Sequence, residues 1–108
     1  MSIKDAHYVD QKLQTVRIDD KELQSGDVEI RWWFSGKEAW LLFTDENPLL
    51  GQPRTMHVNP GPVRKLVAAD AKPGTYQYAA MVRDQSGKWE YVDGENSPAE
   101  IIILVTRV

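Results

Sequence analysis

Lys72-Pro-Gly-Thr-Tyr-Gln-Tyr-Ala-Ala-Met-Val-Arg-Asp84 is the stretch whose reading decides the fold. Pro73 fixes the approach to a turn, and Gly74 can take backbone angles that most residues avoid. Beyond the turn the residues alternate, with Tyr76, Tyr78, Ala80 and Val82 on one side of an extended strand and Gln77, Ala79, Met81 and Arg83 on the other. The first set is expected to point into a core. A strand that buries one face needs a second layer against it, so the expected architecture is an all-β, two-sheet Greek-key β-sandwich.

The same period of two appears upstream in Val28-Glu-Ile-Arg-Trp-Trp-Phe34. Val28, Ile30, Trp32 and Phe34 go one way, while Glu29, Arg31 and Trp33 go the other. Trp33 therefore stands alone on a charged outer face, covered either by a loop carrying Leu49 and Leu50 or by a partner. Ser35-Gly36-Lys37 reads as a hairpin turn, after which Ala39-Trp-Leu-Leu-Phe-Thr44 is apolar on both faces, as a central strand would be.

The remaining segments follow from turn chemistry. Leu13 to Ile18 alternates as a strand, and Asp19 to Asp27 is a charged connection closing in Ser25-Gly26. The two prolines and one glycine between Asp45 and Pro53 make a loop, and Arg54 to Val58 is a short strand. Val63 to Ala69 reads as a strand in preference to a helical turn. Gln85-Ser-Gly-Lys88 turns the chain so that Trp89-Glu-Tyr-Val92 pairs back. Ala99 to Thr106, rich in isoleucine, closes the domain inside a sheet. Residues 1–12 are expected to form an arm or an edge strand, and residues 13–108 a single sandwich of seven or eight strands.

Composition narrows the function. A chain of 108 residues is one domain, able to bury roughly two-thirds of its unfolded surface without a staple. It has no Cys, which removes disulfides, thiolate catalysis and sulfur-ligated metals. Net charge is −3, with Lys and Arg scattered along the chain, so the basic stripe that nucleic acid requires is missing. The most apolar run, Ala99 to Val105, contains Glu100 and falls far short of the roughly 20 residues that span a bilayer. The opening Met-Ser-Ile-Lys-Asp-Ala-His carries no leader pattern, so the expected address is cytoplasmic, or exported if a leader has been removed.

The segments Gly26-Asp-Val-Glu-Ile-Arg-Trp32, Pro73-Gly-Thr-Tyr-Gln-Tyr78 and Ala99-Glu-Ile-Ile-Ile103 together resemble the layout of cupredoxin-like domains. Gly-Thr-Tyr-x-Tyr also occurs in immunoglobulin-like sandwiches, where a Tyr pins a corner. The cupredoxin-like resemblance implies a type 1 copper site of two His, one Cys and a weak Met. Here Tyr78 is followed by Ala79, Ala80 and Met81, and no His or Cys comes after them. Copper electron transfer is excluded on ligand chemistry.

Neither a catalytic set nor a cofactor site emerges. His7 and His57 are the only imidazoles, and no nucleophile, base and acid are grouped in the sequence. His57 alternates with Met56 and Val58, as a solvated strand residue would. The acids Asp84, Asp93, Glu95 and Glu100, with Asn96, could converge on calcium across a hairpin, although no calcium-loop spacing is present. The aromatics carry more. The chain has four Trp and four Tyr, and rings on a sheet surface either fill protein interfaces or stack on sugars. Trp33, Met81, Arg83, Trp40 and Trp89 are the expected interaction surface. It belongs to a non-enzymatic module that binds a protein partner or its own copy, with carbohydrate as the alternative ligand and neither nucleic acid nor membrane as partner.

Overall fold

Alternation becomes strand over most of the segments where it was read, but not at Gln14 and Thr15 or at Trp33 and Phe34. In the computed structural model, residues 2–6, 8–9, 12–58, 61–94 and 98–105 are described. They form β1 (Ser2–Asp5), β2 (Tyr8–Val9), β3 (Lys12–Leu13), β4 (Val16–Asp19), α1 (Asp20–Ser25), β5 (Val28–Trp32), β6 (Ala39–Phe43), β7 (Thr55–Val58), β8 (Val63–Leu66), β9 (Gly74–Arg83), β10 (Trp89–Gly94) and β11 (Ala99–Leu104). The strands build two packed sheets, an all-β sandwich. There are more strands than expected because the chain up to Asp19 is broken into four short pieces.

The small sheet has the order β1-β5-β8, with β1 parallel and β8 antiparallel to β5. The large sheet is organised around β9, whose ten residues reach about 33 Å at the usual strand rise. That length lets two strands share one of its edges. β11 pairs with Gly74 to Tyr78, and β10 pairs with Ala80 to Arg83. The opposite edge takes β6, from Tyr78 to Val82, with β7 beyond it. β4 runs parallel to β11, and β3 and β2 continue outward from β10.

The core closes around Trp32, which is fully buried beside Tyr78. Trp32 Nε1 donates to Tyr78 Oη at 3.1 Å, and the two rings meet edge to face at 6.1 Å. Phe43 stacks on Tyr78 at 5.2 Å and meets Trp32 edge-on at 6.2 Å. Val28, Ile30, Leu41, Ala80, Ile101 and Ile103 are among the side chains that fill the interior around them. Each large apolar side chain enclosed in this way contributes about 1.5–3 kcal/mol relative to exposure. Tyr76, expected in this set, is only partly buried at its margin, and its hydroxyl donates to Lys72 O at 2.6 Å.

Three expectations are corrected. The charged connection after Ile18 is the helix α1, capped by Asp19 and seated by the buried Leu23. The turn at Ser35 and Gly36, both with positive φ, is not a hairpin, because β5 and β6 lie in different sheets. It carries the chain from one layer to the other, with Lys37 N donating to Phe34 O. In the 45–53 loop Leu49 is buried together with Asn47 and Pro48, but Leu50 is exposed, and Trp33 remains open. Asn47 organises this loop, donating from Nδ2 to Thr44 O and Pro53 O and accepting the Leu49 amide on Oδ1. Within residues 1–12, expected as an arm or an edge strand, β1 pairs with β5 at the edge of the small sheet.

Candidate functional site

Register decides which outward side chains become neighbours. In the large sheet His57 pairs with Trp40, Trp40 with Met81, and Met81 with Tyr91, so four adjacent strands present one continuous row. These residues alternate with the core positions Val58, Leu41, Ala80 and Val92, so the row lies on the face turned away from the small sheet. Two strand spacings separate Trp40 from Tyr91, about 9–10 Å. Tyr91 is 71% exposed and Trp40 39% exposed.

One level along the strands, Arg83 pairs with Trp89, and the Arg83 amide donates to Glu38 O at 3.0 Å on the other side. The Glu38 carboxylate lies between the His57 ring and the Arg83 guanidinium, with Oε2 at 2.9 Å from His57 Nε2 and Oε1 at 3.7 Å from Arg83 Nη1. The His57 ring also tilts over Trp40 with centroids 4.6 Å apart. His57 is thus a packed member of the row, not the solvated strand residue that alternation suggested. One level in the other direction, Leu42 pairs with Ala79 and Thr55 with Leu42. The result is an apolar and aromatic band with a charged margin.

Four of the five expected surface residues, Met81, Arg83, Trp40 and Trp89, come together on this face. Trp33 does not. It follows β5 in the small sheet, 48% exposed, beside Arg31 and Pro62. There Arg31 grips Asp5 through two parallel bonds, Nε to Oδ1 and Nη2 to Oδ2. Tyr91, His57 and Glu38 were absent from the expected surface. For Tyr91 the signal was available, since alternation in Trp89-Glu-Tyr-Val92 already sets Tyr91 with Trp89 and against Val92.

The acidic hairpin has a structural use. Asp84 Oδ1 accepts from the Ser86 hydroxyl at 2.6 Å and from the amides of Ser86 and Lys88, both at 2.9 Å. The Ser86 hydroxyl first, and the Lys88 amide next, hold this carboxyl below its usual range. Of the other acids named for calcium, Glu95 lies outside the described residues, as do Asn96 and the side chain of Asp93. Among the described residues no three His, Asp or Glu side chains are grouped to hold a metal ion. No helix among them is long and apolar enough to cross a membrane. No protein-family model matches the chain, and a search of the curated proteins finds no match.

Proposed function

We propose that this domain is a non-enzymatic binding module that acts through protein–protein contact, using the outer face of its large sheet. The observation that carries the reading is the registered row His57, Trp40, Met81 and Tyr91, margined by Glu38 and Arg83. Trp, Tyr and Arg are the side chains that most often dominate interface energetics, and Met adapts to a partner's surface. An aromatic, apolar band rimmed by charge is what a contact surface is made of.

The scaffold is read as cupredoxin-like without copper. Support comes from the N-terminal segment, which crosses between sheets and pairs in parallel with β5 in one and β11 in the other. The immunoglobulin-like sandwich is the alternative. A carbohydrate ligand is favoured by one observation, the two exposed rings of Trp40 and Tyr91 set two strands apart on one face, as platforms for stacking on sugar rings.

Immobilised chain provides the test. Met81→Asp and Tyr91→Ala are expected to lose the partner that the wild type captures, whereas Trp33→Ala, on the opposite sheet, keeps it. Equal capture by all three variants would remove the face from consideration. Tryptophan emission titrated with soluble polysaccharides gives the second arm. A shift that Trp40→Ala abolishes would turn the reading to carbohydrate.

A further inference from the structure

Resting on that reading of the face, we propose that its occupant is a second copy of this chain, packed sheet to sheet about a two-fold axis that runs along the strands between β6 and β9. Rotation about such an axis keeps each side chain at its own level along the strands and exchanges left for right. β6 of one copy then lies over β9 of the other, and β7 over β10.

Level by level, this operation brings unlike but compatible groups together. At the central level Trp40 faces Met81 of the second copy, an aromatic ring on a thioether, and His57 faces Tyr91. At the next level Glu38 faces Arg83 and Arg83 faces Glu38. The in-chain pair thereby becomes a ring of four alternating charges. At the level on the other side Leu42 faces Ala79. A two-fold interface must be self-complementary, because every contact is made twice. This face meets that condition at three successive levels, whereas a face bearing one sign of charge would repel its own copy.

The size of the patch sets the expected strength. Four strands at about 4.8 Å spacing and three levels about 7 Å apart give on the order of 400 Å² in projection. That is below the roughly 800 Å² per partner of a standard stable interface. The association is therefore reversible and concentration-dependent. Aligned sheets pack about 10 Å apart with a relative rotation near −30°, so the contacts close to the axis, Trp40 on Met81 and Glu38 on Arg83, hold their register best.

Sedimentation equilibrium from micromolar to millimolar chain is expected to show a monomer–dimer equilibrium. Glu38→Arg and Arg83→Glu, each alone, set like charges opposite one another and weaken the dimer by about tenfold. An equimolar mixture of the two variants restores it, because Arg at position 38 of one chain then meets Glu at position 83 of the other, while the native Arg83 of the first chain meets the native Glu38 of the second. The in-chain pair stays broken in both variants, so recovery on mixing reads only the contact between copies. Tyr91→Ala, at a strongly exposed position that leaves folding intact, also lowers the dimer fraction. Circular dichroism verifies the fold of each variant. A wild type that stays monomeric at millimolar concentration overturns the proposal, as does a dimer that ignores both reversals or fails to recover on mixing. If Met81→Asp still loses a captured partner in any of those cases, the face remains a contact surface and only the second copy is ruled out.

Discussion

Tyr78 shows how much one hydroxyl can decide. It is the acceptor for Trp32 Nε1, and Trp32 heads the largest fully buried side chains of the domain. Tyr78→Phe keeps the ring contacts with Phe43 and Trp32 but strands the indole N–H in the core. The expected cost is about 1–3 kcal/mol, the penalty of an unsatisfied buried donor. Thermal denaturation reads it as a fall of roughly 4–8 °C per kcal/mol for a domain of this size; an unchanged midpoint would mean that the bond contributes nothing. The same hydroxyl has an alkaline signature. Burial pushes its pKa from 10.0 to about 12, with the Trp32 donor opposing the shift. The fold favours the neutral phenol, so this contribution is whole below pH 10 and is lost as pH rises toward 12. Tyrosinate absorbance should show a late step that coincides with unfolding and is absent from Tyr78→Phe.

Among the elements, α1 is the one that alternation hides, because Leu23 is its only buried residue. Its local signal was nonetheless in the sequence. Asp19 and Glu22 have capping-box spacing, with Lys21 N donating to Asp19 Oδ1 at 3.1 Å and Asp19 N donating to Glu22 Oε1 at 3.3 Å. Glu22 also ties the helix to β1 through Lys4 Nζ, 2.9 Å from Oε2. The Lys4 hydrogen bond is the largest cause holding Glu22 below its ordinary 4.5. A lowered carboxyl contributes stability that is present above its unfolded pKa and fades as pH falls through the folded one. Lys4→Gln should therefore be less stable than the wild type at neutral pH, by no more than about 1 kcal/mol for so exposed a pair. Urea denaturation should show the gap closing as the pH is taken below 4.5 toward the folded pKa; a gap of constant size would assign the loss to packing instead. The strands were more legible. Val28, Ile30 and Trp32, and Tyr78, Ala80 and Val82, were readable as core because a strand's period of two shows in any one segment. Which outward residues become neighbours was not readable, because register is fixed by pairing between distant segments. Nothing local to Trp33 or Trp40 says that they belong to different sheets, or that β10 and β11 divide one edge of β9.

For the whole molecule, the sandwich separates what holds it together from what it presents. The core and the outward row occupy opposite faces of the same strands, so on the proposed reading neighbouring residues should respond in opposite ways. Leu41 and Trp40 are adjacent in β6, one fully buried and one turned outward under His57. Leu41→Ala leaves a cavity between the sheets and should cost about 2–5 kcal/mol. Trp40→Ala loses the tilted contact with His57 and the covered part of a ring that is 39% exposed, but it does so on the outer face, where water fills the space and no cavity opens between the sheets, so the fold survives it. Contact between molecules should reverse the ranking. Trp40→Ala abolishes association through the face at chain concentrations where it is still fully folded, while Leu41→Ala, assayed cold enough to remain folded, keeps it. Urea midpoints and sedimentation mass measured on the same samples decide the matter. A Trp40→Ala chain that associates like the wild type would detach the aromatic row from any binding role, and a Leu41→Ala chain of unchanged stability would place the interior somewhere other than between these two sheets.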